Sequence, residues 1–245
     1  MGSEMCIRDR SISIFKVPRK NRSPIYGVYS LEYSDAVKKL FDKFGYPLEE
    51  RHRISRSVLD STSEQLRVSI PLSLLQFYET AGAMDRFCQP CQRFLHPSNW
   101  FENDGHLAFI AENQGACWWG VALESEGPDP VVCQGLERQG GIEWIEEEVH
   151  CFQFISTMLH YQAVNGGFDH SGSTEAPPNA RERLLRENWE YAGEINGMFA
   201  YARSNQVACL IEGTGLPFMP NATVFAGAKT SKDLSLIGES LGINF

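Results

Sequence analysis

Apolar residues recur at helical spacing in two stretches of the first third of the chain. In SLEYSDAVKKLFDKFGYP, residues Val37, Phe41 and Phe44 fall on one helical face. A second helix is predicted to begin at Pro71 and to end at Gly82. Proline suits the first helical position because its missing N–H would be unpaired there anyway, and glycine is favoured just past a helix end.

The pattern changes to short alternating segments after residue 105. The segment HLAFIAENQGACWWGVAL predicts an antiparallel hairpin, with Leu107, Phe109 and Ala111 on one face. Asn113 and Gly115 favour the turn, because both tolerate positive φ. PDPVVCQG and GIEWIEE predict a third and a fourth strand, and VHCFQFISTMLHYQAV predicts a helix.

The adjacent tryptophans of the hairpin are predicted to lie on opposite faces, since successive strand residues point to opposite sides. Trp119 shares its face with Cys117 and Val121, which predicts a position in the core. Trp118 then lies on the opposite face, under a helix or at the surface. If an aromatic residue of this hairpin contacts a partner, we expect it to be Trp118.

The last third of the chain has its own set of predicted elements. Residues 166–180 are rich in Gly, Ser and Pro and predict a linker or loop, and RERLLRENWEYAGEI predicts a helix. A hairpin turning at Ser204-Asn205 follows, then a strand and a helix capped by Thr230 or Ser231. The succession of elements predicts an α+β protein, with helices on a bent antiparallel sheet and an additional C-terminal α/β segment at 181–245.

Composition narrows the classes of function. The first ten residues, MGSEMCIRDR, resemble a translated sequencing adapter, so we exclude them from the fold and expect the native N-terminus to be missing. The formal net charge of −9 disfavours nucleic-acid binding, which needs a basic footprint, but suits a basic protein partner. We see no apolar run long enough for a membrane span, and we expect a cytoplasmic protein.

Several residue clusters contain side chains that could support chemistry. Cys88, Cys91 and His96 offer three zinc or redox ligands, but no second pair at ligand spacing completes a tetrahedral zinc site. The cysteines are expected to be free buried thiols. His160 is expected at the surface or at the core boundary. We find no nucleophile motif or phosphate-binding glycine loop, so we predict no enzyme, no metal and no cofactor.

The segment EWIEEEVH concentrates negative charge. Its carboxylates either form a solvated helix start, where they favour the positive end of the helix dipole, or an acidic surface that attracts a basic partner. The residues assigned to partner binding are therefore one aromatic and four acidic side chains: Trp118, Glu143, Glu146, Glu147 and Glu148.

Five segments in this order resemble the SUKH superfamily, which includes the Smi/Knr-type cell-wall-assembly regulators. They are IPLSLLQFYETAGAM, LAFIAENQGACWWGV, DPVV, the acidic Trp segment and FISTML. The resemblance covers about residues 25–165, and the tail TVFAGAKTSKDLSLIGESLGINF is also similar to the ending of bacterial members. The insert at 166–193 departs from a minimal family domain.

The resemblance implies a non-enzymatic binding protein. Bacterial members look like immunity proteins that bind and neutralise toxins, which here predicts a basic toxin domain as the partner. An alternative is a regulatory scaffold or adaptor of the cell-wall-assembly-regulator type. A more remote alternative is a zinc or thiol enzyme using Cys88, Cys91 and His96. The family supplies no catalytic residues, and the sequence does not indicate an oligomeric state.

Overall fold

Helices and antiparallel strands alternate along the chain, which confirms the predicted α+β class. The computed structural model describes residues 33–125, 127–213 and 221–245, so the adapter-like segment lies outside the described residues. The helices in this part are α1 Tyr33–Phe44, α2 Arg56–Leu66, α3 Leu72–Ala81, α4 Asp85–Cys88, α5 Cys151–Gln162, α6 Ala180–Arg186 and α7 Ser231–Leu241. The strands are β1 Arg93–Phe94, β2 Phe101–Asn103, β3 His106–Ala111, β4 Cys117–Ala122, β5 Val131–Arg138, β6 Gly141–His150, β7 His170–Glu175, β8 Glu190–Ile195, β9 Met198–Arg203, β10 Gln206–Ile211 and β11 Thr223–Ala228.

The two helices predicted in the first third are confirmed. Helix α1 buries Val37, Phe41 and Phe44, as its spacing predicts. Helix α3 follows Pro71, ends against Gly82 and lies beside α1.

Helix α2 was not predicted. Its sequence, RSVLDSTSEQL, buries only Leu59 and Thr62. Val58, Leu59 and Leu66 are spaced for one face of a helix and pack on the core, but the other eight of its eleven residues are polar, so the segment resembles a loop in the sequence.

The first sheet has the strand order β1-β3-β4-β5-β6, with β2 paired to β3. The predicted hairpin of β3 and β4 is present, and β5 and β6 are the predicted third and fourth strands. A register shift between Ala108 and Ile110 changes the faces of β3, however. The prediction that Ala111 shares a face with Leu107 is therefore wrong, because an irregularity in the pairing breaks the two-residue alternation.

The last third forms a second antiparallel sheet, with the order β7-β11-β10-β9-β8. The hairpin of β9 and β10 and the cap of α7 are confirmed, with Thr230 accepting a hydrogen bond from the Asp233 amide. The linker predicted at 166–180 is wrong for residues 170–175, because they gain a ladder partner in β11. The helix predicted for RERLLRENWEYAGEI ends at Arg186, and residues 190–195 pair instead with β9.

Helix α5 lies between the two sheets. It contacts β5 and β6 of the first sheet and β8, β9 and β10 of the second. Its residues Phe154 and Leu159 belong to one continuous core with Trp119 and Met198. His160 is only 2% exposed, so its predicted place at the surface or boundary is wrong. That prediction assumed a helix with one apolar face, whereas a helix packed on both sides is buried nearly all round.

Candidate functional site

The two adjacent tryptophans of β4 lie on opposite faces of the first sheet, as predicted. Trp119 is 2% exposed and belongs to the core, whereas Trp118 is half-buried on the outer face. Cys117 and Val121 are buried on the inner side with Trp119. The hairpin thus contributes one tryptophan to folding and leaves the other near solvent.

On the inner face, a buried carboxylate connects the two sheets. Glu147 of β6 is 3% exposed, and its Oε1 accepts a hydrogen bond of 3.0 Å from Trp119 Nε1. Its Oε2 accepts a hydrogen bond from the Nδ2 of Asn196, in the turn between β8 and β9. A buried charge is tolerated only where hydrogen bonds replace its water, so these two donors make Glu147 a structural link.

The assignment of Glu147 to a partner-binding surface is therefore wrong. In a strand, alternate residues face inward, and the sequence EEE does not reveal which glutamate lies on the inner side. The core position of Trp119 was the available signal, because a buried indole N–H requires an acceptor.

We expect Glu147→Ala to lower the free energy of unfolding by about 2–3 kcal/mol, because Trp119 Nε1 and Asn196 would lose an acceptor inside the core. Glu147→Gln keeps one acceptor and should cost less. Urea unfolding followed by circular dichroism measures both. Glu148→Ala, at an exposed neighbour, is the control, and equal losses for Glu147→Ala and Glu148→Ala would contradict the structural role.

On the outer face, Trp144 of β6 lies across two neighbouring strands. A Cβ atom added to Gly135 would come within 2.9 Å of its ring, and one added to Gly120 within 3.0 Å. Only glycine leaves space for an indole that close to the backbone. The ring lies parallel to the imidazole of His106, at 4.7 Å between centroids and 9° between planes.

Four half-buried aromatic side chains cover this outer side: Phe101, His106, Trp118 and Trp144. We call them the aromatic face. Phe101 and Trp118 meet edge to face at 5.9 Å, and Trp144 Nε1 donates a 3.2 Å hydrogen bond to Asn103 Oδ1. Among the described residues, neither hydrophobic core includes Phe101, Trp118 or Trp144.

Carboxylates lie at the β6 side of the aromatic face. Glu146 is exposed and pairs in register with Cys133, and exposed Glu137 pairs with Ile142. Glu143 is exposed on the opposite face of β6, in register with Leu136, and forms a 3.1 Å ion pair with Arg138 at the end of the hairpin. The segment EWIEEEVH is therefore an edge strand, and the alternative of a helix start is wrong.

Glu148 is also exposed, with a positive φ of 56°. It lies within the register shift between the pairs Cys133–Glu146 and Val131–His150 of β5 and β6. Of the five residues assigned to partner binding, Trp118, Glu143, Glu146 and Glu148 remain accessible. Glu143 and Glu146 belong to the regular part of β6, and Glu148 belongs to its irregular part.

Sequence reasoning missed Phe101, His106 and Trp144 as members of the aromatic face. The signal for Trp144 was present, because its register partner Gly135 is also the partner of Trp118. Pairing in register puts both tryptophans on one side of the sheet. That register could not be read from the sequence, since it depends on the length of the turns between strands.

The residues weighed as a metal or thiol site do not converge in the structure. Among residues 33–125, 127–213 and 221–245, no group of three or more His, Cys, Asp or Glu side chains could hold a metal ion. Cys88 is fully buried, and burial raises the pKa of its thiol well above the usual range. Cys91 is half-buried, and burial raises its thiol pKa too. Both thiols are therefore weak nucleophiles, because the thiolate is the reactive form.

The other described cysteines are free and buried. Burial raises the pKa of the Cys117 thiol to about 12 and that of Cys133 to about 11. For Cys151 and Cys209 the direction is the same and the cause is again burial. These four thiols therefore act as small apolar core groups at neutral pH.

In the described part of the chain, no helix is both long and apolar enough to cross a membrane.

Comparisons with protein-family models, with curated proteins and with solved structures find nothing that matches this chain. The aromatic face and the carboxylates beside it are therefore the features of the chain that bear most on its function.

Proposed function

We propose that this protein is a non-enzymatic immunity protein that neutralises a basic toxin domain by binding it. The observation that carries the proposal is the aromatic face, formed by half-buried Phe101, His106, Trp118 and Trp144. Aromatic side chains are the commonest anchors of protein–protein interfaces, because they bury a large area at a small cost in conformational entropy.

The negative charge of the protein favours a basic partner. The chain has a net charge of −9, and Glu137 and Glu146 lie on the same side of the sheet as Trp144. Complementary charge speeds the encounter of two proteins and rejects partners of the wrong sign. The SUKH-like order of segments is the reason for proposing a toxin as the partner, since bacterial members of that superfamily look like immunity proteins.

Co-expression with toxin domains encoded beside the gene tests the function. We expect a stoichiometric complex in pull-down and protection of growth. The affinity should fall as salt rises, because exposed charges are screened. Absence of both a complex and protection for every neighbouring toxin would overturn the proposal.

Substitution of both outer tryptophans tests the surface. Trp118→Ala combined with Trp144→Ala should weaken the complex by about tenfold or more, which is the usual effect of removing aromatic anchors. Tyr191→Ala is the matched control, since Tyr191 is a 44% exposed aromatic residue on the second sheet. Unfolding curves establish that each variant is folded. A loss of affinity with Tyr191→Ala, and none with the double variant, would place the interface elsewhere.

A further inference from the structure

Within the described residues 33–125, 127–213 and 221–245, strand β6 ends the first sheet, and one of its two edges has no partner strand. It has ten residues. Residues 141–146 pair regularly with 138–133 of β5, and the register shift comes only after them. Every second one of these six residues therefore directs its backbone N–H and C=O groups to the free edge in a regular row, which is a template for another strand.

The remaining sheet edges in the described part are less suited to pairing. Strand β1 has only two residues. Strand β8 contains a register shift between Tyr191 and Gly193, and such irregularities protect an edge. On β7, the side chain of Phe245 lies 3.1 Å from the position that a Cβ of Gly172 would take.

The side chains of β6 favour an added strand of one charge over the other. Glu143 and Glu146 are exposed and lie on opposite faces of the strand. A second copy of β6 would bring glutamates close to glutamates across the new ladder, and like charges across strands are destabilising. Charges on an edge strand ordinarily prevent self-association. Here they leave the edge open to a strand that carries positive charge.

The outward charge at this edge is that of Glu146. The ring of Trp144 extends away from the edge, over Gly135 of β5 and Gly120 of β4, and lies against His106 of β3. An outward arginine or lysine on an added strand would therefore meet Glu146 and not the indole.

We propose that an extended basic segment of the partner adds to β6 as an additional strand along residues 141–146, with an arginine or lysine side chain opposite Glu146. The proposal deepens the proposed function and rests on it only for the basic character of the partner. It predicts that main-chain hydrogen bonds, and not charge alone, hold the segment.

Synthetic peptides test the strand addition directly. The probe is a ten-residue peptide that alternates arginine or lysine with valine or threonine, and two further versions carry N-methyl groups on the odd or on the even residues. An added strand bonds through only one of its edges. We expect one N-methylated version to lose binding and the other to keep it, and equal behaviour of the two would overturn the proposal.

Amide hydrogen exchange on the full chain locates the contact. The amides of 142–146 that face the free edge should exchange quickly in the protein alone and slowly with the unmethylated peptide. Slow exchange at the edge without peptide would mean that another strand already occupies it, which would also overturn the proposal.

Charge reversal provides the matched variants. Glu146→Lys should weaken peptide binding by about fivefold, because a favourable cross-strand pair becomes unfavourable. Glu64→Lys makes the same change in net charge at an exposed position on α2 and should have little effect. Equal losses in the two variants would mean that long-range charge alone binds the peptide, which would overturn strand addition.

The two proposals fail in different ways. If a toxin domain binds through the aromatic face but leaves the β6 amides unprotected, the function stands and strand addition is wrong. If the peptide adds to β6 but no toxin forms a complex, strand addition stands and the immunity function is wrong.

Discussion

Trp119→Ala is expected to lower the free energy of unfolding by about 3–5 kcal/mol, the usual cost of removing a buried tryptophan side chain. Trp119 is 2% exposed, its ring lies 6.1 Å from that of Phe154 on α5, and its Nε1 donates to Glu147. Alanine would leave a cavity and would also remove a donor from a buried carboxylate. Because domains are typically stable by only about 5–15 kcal/mol, this single change brings the fold close to unfolding.

The neighbouring Trp118→Ala is the matched control. Trp118 is half-buried on the outer face, where its ring meets Phe101. Its loss should cost only about 1 kcal/mol, in proportion to the smaller area removed from water. Urea unfolding followed by circular dichroism gives both values. A larger loss for Trp118→Ala than for Trp119→Ala would contradict the assignment of the two faces.

Acidification is expected to destabilise the protein through His160. Burial between the sheets lowers the pKa of its imidazole from 6.5 to about 4, and the charge of Lys43 acts in the same direction. The neutral ring donates from Nδ1 to the Ser156 carbonyl oxygen at 2.7 Å and lies against Phe44 at 5.1 Å. The unfolded chain therefore binds a proton at a higher pH than the folded one does.

The stability that depends on a neutral His160 is fully present above pH 6.5. It is lost as the pH falls from 6.5 towards 4, because protons then favour the unfolded state. The difference of pKa corresponds to a total loss of about 3 kcal/mol.

Comparing urea unfolding at pH 7.5 and pH 4.5 in the parent chain and in His160→Gln isolates this contribution. The variant should lose about 2.5 kcal/mol less on acidification. Other groups also titrate in this range, so the difference between proteins is the relevant measure. His170→Gln, at an exposed histidine, should keep the full pH dependence, and the same pH dependence in His160→Gln and the parent chain would contradict the prediction.

The sequence predicted elements best where one face of an element is buried. The apolar spacing of α1, the proline and glycine at the ends of α3, and the opposite placement of Trp118 and Trp119 all follow from local geometry. Each of these signals is contained within a few neighbouring residues.

The elements and buried positions that the sequence did not predict depend on contacts with distant parts of the chain. Helix α2 is mostly polar, and residues 170–175 are polar enough to suggest a loop until β11 pairs with them. The burial of His160 and Glu147 depends on the second sheet, whose position is not encoded in the segments around these residues. The aromatic face likewise depends on the register that brings Trp144 over Gly135 and Gly120.

The position of α5 has a consequence for how the chain holds together. Its residues belong to one core with both sheets, and Glu147 and Asn196 join the same two layers by a hydrogen bond. A boundary near residue 165, where the family resemblance stops, therefore falls inside a shared core. Loss of the C-terminal third would remove the second sheet from one side of α5 and expose the apolar residues of that side to water. The two sheets thus form one cooperative unit. The first sheet, which carries the aromatic face, needs the C-terminal third in order to stay folded.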